Sequence, residues 1–228
     1  MIVIKLAGLQ KFSTIDYPKK ICCVLFTKGC NMDCAFCHNK GTALNPSHEN
    51  IETSKVIDFL HKRKGLLEAV CISGGEPTLQ NNLKSFVTNI KLLGYKVKLD
   101  TNGTNPDVLK DLLKNDLIDF VAMDIKAPLC KYDMISGVNV DKNKIINSVD
   151  IIINSGVDYE FRTTFTPELD SKDIMLLAQE IKDAKKYVLQ QFRQTDYCKL
   201  TPHSKQYVLD TLESIKTIIS GTCEVRGL

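Results

Sequence analysis

The chain has 228 residues with 43% hydrophobic and 25% charged content, which suits a soluble globular protein of one sizeable core or two small ones. A net charge of +3 without any Lys/Arg block argues against nucleic acid as the partner. The opening Met1-Ile2-Val3-Ile4-Lys5 is interrupted by Lys5 before a signal-type apolar region can form. No apolar run approaches the ~18 residues of a membrane helix, so a cytoplasmic location and no membrane partner are expected.

Along the chain, apolar β-branched runs alternate with helical patterns. Ile21 to Phe26 reads as a buried strand and leads into a cysteine-rich loop. Val56, Ile57, Phe59 and Leu60 mark a helix face, with Thr53 as the expected N-cap. Glu68 to Ser73 is the next strand and ends at Gly74-Gly75. Leu83, Phe86, Val87 and Ile90 recur at helical spacing. Tyr95 to Asp100 alternates as a strand, and Asn105-Pro106-Asp107 starts a helix with proline in its first turn. Ile118 to Met123 is a strand, Asp141 to Ser155 a helix, and Tyr159 to Phe165 a strand. Asp170 or Ser171 caps another helix, Tyr187-Val188-Leu189 opens a strand, and Tyr207 to Ile219 lines a last helix. Cys223-Glu224-Val225 adds a short strand. This alternation predicts parallel βαβ units. Six units are fewer than a closed barrel needs, so a single domain over residues 1–228 with a partial (β/α)6 barrel of TIM-like type is expected. A flat doubly wound sheet is the alternative.

The most informative feature is Cys30-Asn31-Met32-Asp33-Cys34-Ala35-Phe36-Cys37, a Cys-x3-Cys-x2-Cys loop after a strand. Three thiolates so placed can converge on a metal centre. A four-iron cube with only three cysteines keeps one iron open for chemistry. Zinc held structurally by these cysteines and His38 is the bland alternative. The other six cysteines form no Cys-x2-Cys pair. Cys22, Cys23 and Cys71 lie in apolar runs as small hydrophobes, and Cys130, Cys198 and Cys223 carry no assigned role.

Further marked residues fall at strand ends, where parallel α/β folds gather their chemistry. Ser73-Gly74-Gly75-Glu76-Pro77 offers a close backbone approach and a carboxylate, or merely a turn. Asn102-Gly103 is sufficiently explained as a turn. Asp124 and Lys126, two apart, project to one face of a strand; the alternative is a rim salt bridge worth about 0–1 kcal/mol. Arg162 faces inward onto a carboxylate or outward into solvent.

The cysteine loop, with Phe36 before its last cysteine, resembles that of the radical S-adenosylmethionine (radical SAM) superfamily. From Ser13 through Phe192 the strand ends resemble the activating enzymes of glycyl-radical proteins, through Cys37-His38-Asn39 and Asp100-Thr101-Asn102-Gly103. They are most similar to activating proteins of anaerobic (class III) ribonucleoside-triphosphate reductase, with the pyruvate formate-lyase activators near. The resemblance implies a [4Fe–4S] cluster on Cys30, Cys34 and Cys37, with SAM on the open iron. Gly74, Gly75 and Glu76 would receive the amine end of SAM. Asn39 would contact SAM and Phe36 would shield its adenine. Asp124 and Lys126 would lie by its carboxylate with Arg162 in the same pocket, and Asp100, Thr101 and Asp124 fall where relatives bind a monovalent cation. The implied activity is reduction of the cluster by a flavodoxin- or ferredoxin-type donor, formation of a 5′-deoxyadenosyl radical, and installation of a glycyl radical on the reductase. A pyruvate formate-lyase-type partner is the alternative, as is a small molecule such as a pterin or deazapurine precursor. Two departures stand out. Asp16-Tyr17-Pro18-Lys19 replaces an Asp-Gly-Pro-Gly pattern. Phe192-Arg193 replaces a histidine, with Gln191 or Arg193 as its substitute.

Overall fold

Eight strands and seven α-helices form among residues 3–45 and 47–228, which the computed structural model describes. Met1 and Ile2 of the opening run lie outside the described residues. The chain divides into two units, and in each the strands lie side by side in chain order.

The first unit comprises residues up to Asn31, Asn39–Thr101 and Asp107–Val121. It holds β1 (Leu6–Ser13), β2 (Cys22–Thr27), β3 (Ala69–Gly74) and β4 (Lys96–Thr101). Strands β2, β3 and β4 are parallel, with Val24 beside Cys71 and Cys71 beside Lys98. The strand β1, absent from the sequence expectation, pairs antiparallel with β2 and is broken by register shifts after Leu6 and Gln10. Helices α1 (Thr53–Arg63), α2 (Leu83–Leu92) and α3 (Pro106–Lys114) bury the apolar faces read from the sequence, including Leu60, Phe86 and Ile90. Thr53 is the first helical residue rather than the cap; its hydroxyl donates to the Ile4 carbonyl and accepts from the Ile4 amide. It ties the helix to the segment leading into β1, a long-range role that local sequence cannot announce. Cys22, Cys23 and Cys71 are free, fully buried packing residues, as expected.

The second unit comprises Met32–His38, Asn102–Pro106 and Ala122–Leu228. The strand β5 (Phe120–Asp124) ends in it. It contains the parallel strands β6 (Asp158–Phe165), β7 (Lys186–Gln191) and β8 (Thr222–Arg226). Helices α4 (Tyr132–Ser136), α5 (Lys142–Ile153), α6 (Ser171–Glu180) and α7 (Lys205–Ile215) complete it. Asp170 caps α6 reciprocally with Asp173, and Asp141 caps α5. Gly137 ends α4 in the left-handed region (φ 74°). A Cβ there would lie 2.4 Å from the Asp33 carbonyl oxygen, so only glycine lets the cysteine loop rest on this helix end.

At the end of β3 the chain passes even closer to its neighbour. A Cβ on Gly75 would lie 1.9 Å from the Gly29 carbonyl oxygen, and one on Gly74 would lie 2.3 Å from the Thr27 nitrogen. Both neighbours are backbone and cannot swing away. Gly75→Ala should therefore cost about 3 kcal/mol or more of stability. Gly65→Ala, where φ is also positive but the space is open, should cost only about 1 kcal/mol. Chemical denaturation of the two variants in parallel tests the contrast, and equal losses would refute it.

Candidate functional site

In the first unit the glycine turn places Glu76 in a fully buried position. Its Oε1 accepts from the Thr78 amide (3.0 Å) and from the Thr101 hydroxyl (2.8 Å), so the carboxylate is solvated by protein donors. The backbone is pinned as well: Gly75 N–H donates to Thr27 O (2.9 Å) and Glu76 N–H to Gly29 O (2.8 Å). Gly74 and Gly75 thus have a packing reason of their own. Asn39 reaches the same turn, its Nδ2 donating to Gly74 O at 2.8 Å. Asp100 pairs with Lys98, a lysine only 2% exposed whose Nζ also lies 3.8 Å from Cys71 Sγ and over the Phe120 ring.

Lys98 escaped sequence reasoning because Lys96, Lys98 and Asp100 alternate as a solvated strand face would. The signal available was its opposite-sign partner two residues on. Of the N-terminal departure, Asp16 accepts from the Ser13 hydroxyl and Tyr17 packs on Phe120, with ring centroids 5.8 Å apart.

In the second unit the cysteine loop is bent onto α4. The Asp33 amide donates to Ser136 O (2.9 Å), and Cys34 Sγ donates to the same carbonyl (3.7 Å). Cys37 N–H donates to Cys34 O at 3.2 Å, closing a turn between the two cysteines. Burial pushes the Cys34 thiol above its ordinary pKa, while the nearby Lys126 ammonium pulls the other way. Phe36 is buried, and Lys126 Nζ lies 6.0 Å from its ring centroid. Asp124, Lys126 and Arg162 come together as the sequence suggested. Arg162 faces inward, its Nε donating to Asp124 Oδ1 at 2.8 Å, and Lys126 Nζ donates to Oδ2 at 3.0 Å. Burial alone would raise the Asp124 pKa, but the two cations outweigh it and hold the carboxyl well below its usual range. Reciprocally, burial disfavours the Lys126 charge, and Asp124 more than offsets this, raising its pKa.

Each carboxylate nominated for a cation therefore has a protein cation against it. Gln191 and Arg193 turn elsewhere: Gln191 Nε2 donates to His203 O and Arg193 Nη2 to Gly227 O.

None of Cys30, Cys34 and Cys37 is in a disulfide. Among the described residues, no three His, Cys, Asp or Glu side chains form a group suited to a single metal ion. A four-iron cube takes each thiolate on a different iron, so its donors need not share one centre. The soft donor set, the preformed turn at Cys34–Cys37 and the adjacent cation fit such a cluster. No described helix is long and apolar enough to cross a membrane.

The radical SAM superfamily profile matches residues 24–181. The chain belongs to the radical SAM superfamily. Its cofactors are accordingly a [4Fe–4S] cluster and SAM. A protein of Methanocaldococcus jannaschii, provisionally named a glycyl-radical enzyme activating enzyme, is 41% identical over 198 residues, covering 83% of this chain and 80% of its own. The 7-carboxy-7-deazaguanine synthase of Thermoplasma acidophilum is 28% identical over 61% of this chain and 64% of its own length. Among solved structures, a radical SAM methyltransferase from Sphaerobacter thermophilus superposes with a TM-score of 0.73. At 15% identity over 92% of this chain and 68% of the other, that likeness shows the fold alone. It is the α/β class with an open, mostly parallel sheet anticipated from the sequence.

The Asp124 cluster carries a pH dependence whose sign follows from its shift. A carboxyl with a lowered folded pKa contributes stability in full above the unfolded value near 4, and loses it as pH falls through the folded value. Between pH 5 and 2 the wild type should lose more thermal stability than Asp124→Asn, which lacks that proton uptake. Parallel pH profiles would refute the assignment.

Proposed function

We propose that this radical SAM enzyme is an activase that installs a glycyl radical on a partner protein, with an anaerobic ribonucleoside-triphosphate reductase as the partner. The observation that carries the activase reading is the 41% identity, over 83% of this chain, to the protein provisionally named as such an activator. The reductase as partner rests on the Cys37-His38-Asn39 and Asp100-Thr101-Asn102-Gly103 motifs. The absence of a ferredoxin-like Cys-x2-Cys-x2-Cys run, which larger activators carry, favours a compact activator of the reductase or formate-lyase type.

In this reading Cys30, Cys34 and Cys37 hold the cluster. When bound, the cluster and SAM together supply an electron from a flavodoxin- or ferredoxin-type donor and a 5′-deoxyadenosyl radical able to take the hydrogen atom of a glycine Cα. The work of the polypeptide is placement and exclusion of water. Glu76, buried and already accepting hydrogen bonds from the Thr78 amide and hydroxyl and the Thr101 hydroxyl, offers a carboxylate to the amine end of SAM beside Gly74 and Gly75. Lys126, held by Asp124 and set over Phe36, is a cation suited to a carboxylate at the cysteine loop, with Arg162 fixing Asp124 from the other side. A monovalent cation at Asp100 would compete with the Lys98 ammonium.

The small-molecule reading draws on the deazaguanine synthase likeness. One experiment separates the two. The reconstituted protein is mixed anaerobically with reductant, SAM and the reductase of the same genome. A glycyl-radical EPR doublet is expected with wild type and should be lost with Cys34→Ala. Absence of the doublet with every glycyl-radical protein of that genome, together with faster 5′-deoxyadenosine release on adding a pterin or purine, would replace the activase reading.

A further inference from the structure

Lys98 is among the largest side chains of the chain to be completely enclosed, and it has no part in the chemistry described above. A lysine taken out of water normally snorkels to the surface or gives up its charge. Lys98 has no route outward: it is 2% exposed in the middle of β4, with Cys71 beside it in register on β3. Its charge is met within its own strand. Residues two apart on a strand share a face, and the Lys98 ammonium donates to Asp100 Oδ1. The remaining walls suit a cation without competing for it. Cys71 Sγ lies 3.8 Å from Nζ, and the Phe120 ring centroid lies 5.9 Å away, with Tyr17 packed on that ring.

Asp100 is also where the family resemblance implies a monovalent inorganic cation, together with Thr101 and Asp124. The residues fit that ion poorly. The Asp100 side chain is only 15% exposed and carries one negative charge, which the adjacent ammonium balances. An inorganic cation on the same carboxylate would stand against a like charge at close range, where little water screens it. Thr101 points to the opposite strand face, and its hydroxyl proton goes to Glu76 Oε1 at 2.8 Å. In the second unit Asp124 is taken by Arg162 and Lys126. Each carboxylate already has a cation from its own part of the chain.

We propose that Lys98 is a built-in counter-ion that takes the place of an inorganic monovalent cation at Asp100, so that the enzyme works without one. Lys98 is a positioning residue in this role, keeping the Asp100 carboxylate charged and in one orientation at the end of β4. Its removal leaves an enclosed carboxylate that must find another positive charge or a proton. A chain lacking Lys98 would thus acquire the cation requirement. The inference does not depend on which partner or small molecule the enzyme serves.

The test compares the reconstituted full chain as wild type, Lys98→Met and the double variant Lys98→Met/Asp100→Asn. Each is held in potassium, sodium or tetramethylammonium chloride at equal ionic strength, the last ion being too bulky to enter. Melting temperature is measured, and so is 5′-deoxyadenosine release from SAM under photoreduced deazaflavin, which brings no alkali cation. Wild type should show equal melting temperatures and rates in the three salts. In tetramethylammonium, Lys98→Met should melt roughly 5–15 °C below wild type. Potassium or sodium should restore its stability and rate saturably, which loss of packing alone would not allow. The double variant has no orphaned charge, so it should melt above Lys98→Met in tetramethylammonium and respond to neither alkali ion. A saturable gain of wild type with potassium or sodium would overturn the inference, as would a Lys98→Met protein indifferent to all three salts. Should Lys98→Met fold in none of them, the wild-type comparison and recovery of folding in the double variant carry the test. A double variant that also fails to fold would then overturn it.

Discussion

The first unit depends on how closely the end of β3 approaches the end of β2. Hydrogen is the largest substituent that fits at Gly74 and Gly75, because the Thr27 and Gly29 backbones stand where a methyl group would be. The contact is held by Gly75 N–H to Thr27 O, Glu76 N–H to Gly29 O, and the Thr27 hydroxyl to Ser73 O. Gly29 immediately precedes Cys30, so the contact fixes where the chain leaves the sheet toward the cysteine loop. It also draws Glu76 inside, and a carboxylate taken so far from water survives only because donors from Thr78 and Thr101 meet it.

A second regularity runs through the strands. Lys98 and Asp100 on β4, Asp124 with Lys126 just past β5, and Glu224 with Arg226 on β8 each set opposite charges two residues apart. Glu160, only 1% exposed, is gripped by two Arg226 nitrogens at 2.7 and 2.6 Å. Removing water from such charges costs several kcal/mol per ion, and the Coulomb gain repays it only with tight geometry. Compared with apolar side chains of the same volume these pairs are therefore poor sources of net stability, although neutralising one partner of a formed pair is costly. Their value is orientation: each fixes the direction of a side chain that would otherwise sweep several rotamers.

Much of this was readable in the residues. The parallel strands, the proline start of α3 and the Asp141 and Asp170 caps follow from local rules, and the cysteine loop announces itself. The inward turn of Arg162 onto Asp124 had been one of two options, and the partner decided it. Two features were hidden for physical reasons. The strand β1 has no clean alternation, since Gly8 and its register shifts interrupt the period. Lys98 looks solvated because a polar alternate face normally is.

The seating of the cysteine loop on α4 also bears on what happens in air. In small zinc domains the metal is the fold, and removing it leaves a random chain. Here Asp33 and Cys34 are tied to Ser136, and Gly137 is moulded to receive them, by protein contacts alone. Each tie removes freedom that the bend would otherwise retain. If the cysteines hold the cluster as proposed, these ties would keep Cys34 on the helix end while iron is lost. Recovery from an oxygen pulse would be a matter of resupplying iron and sulfide rather than of making new protein.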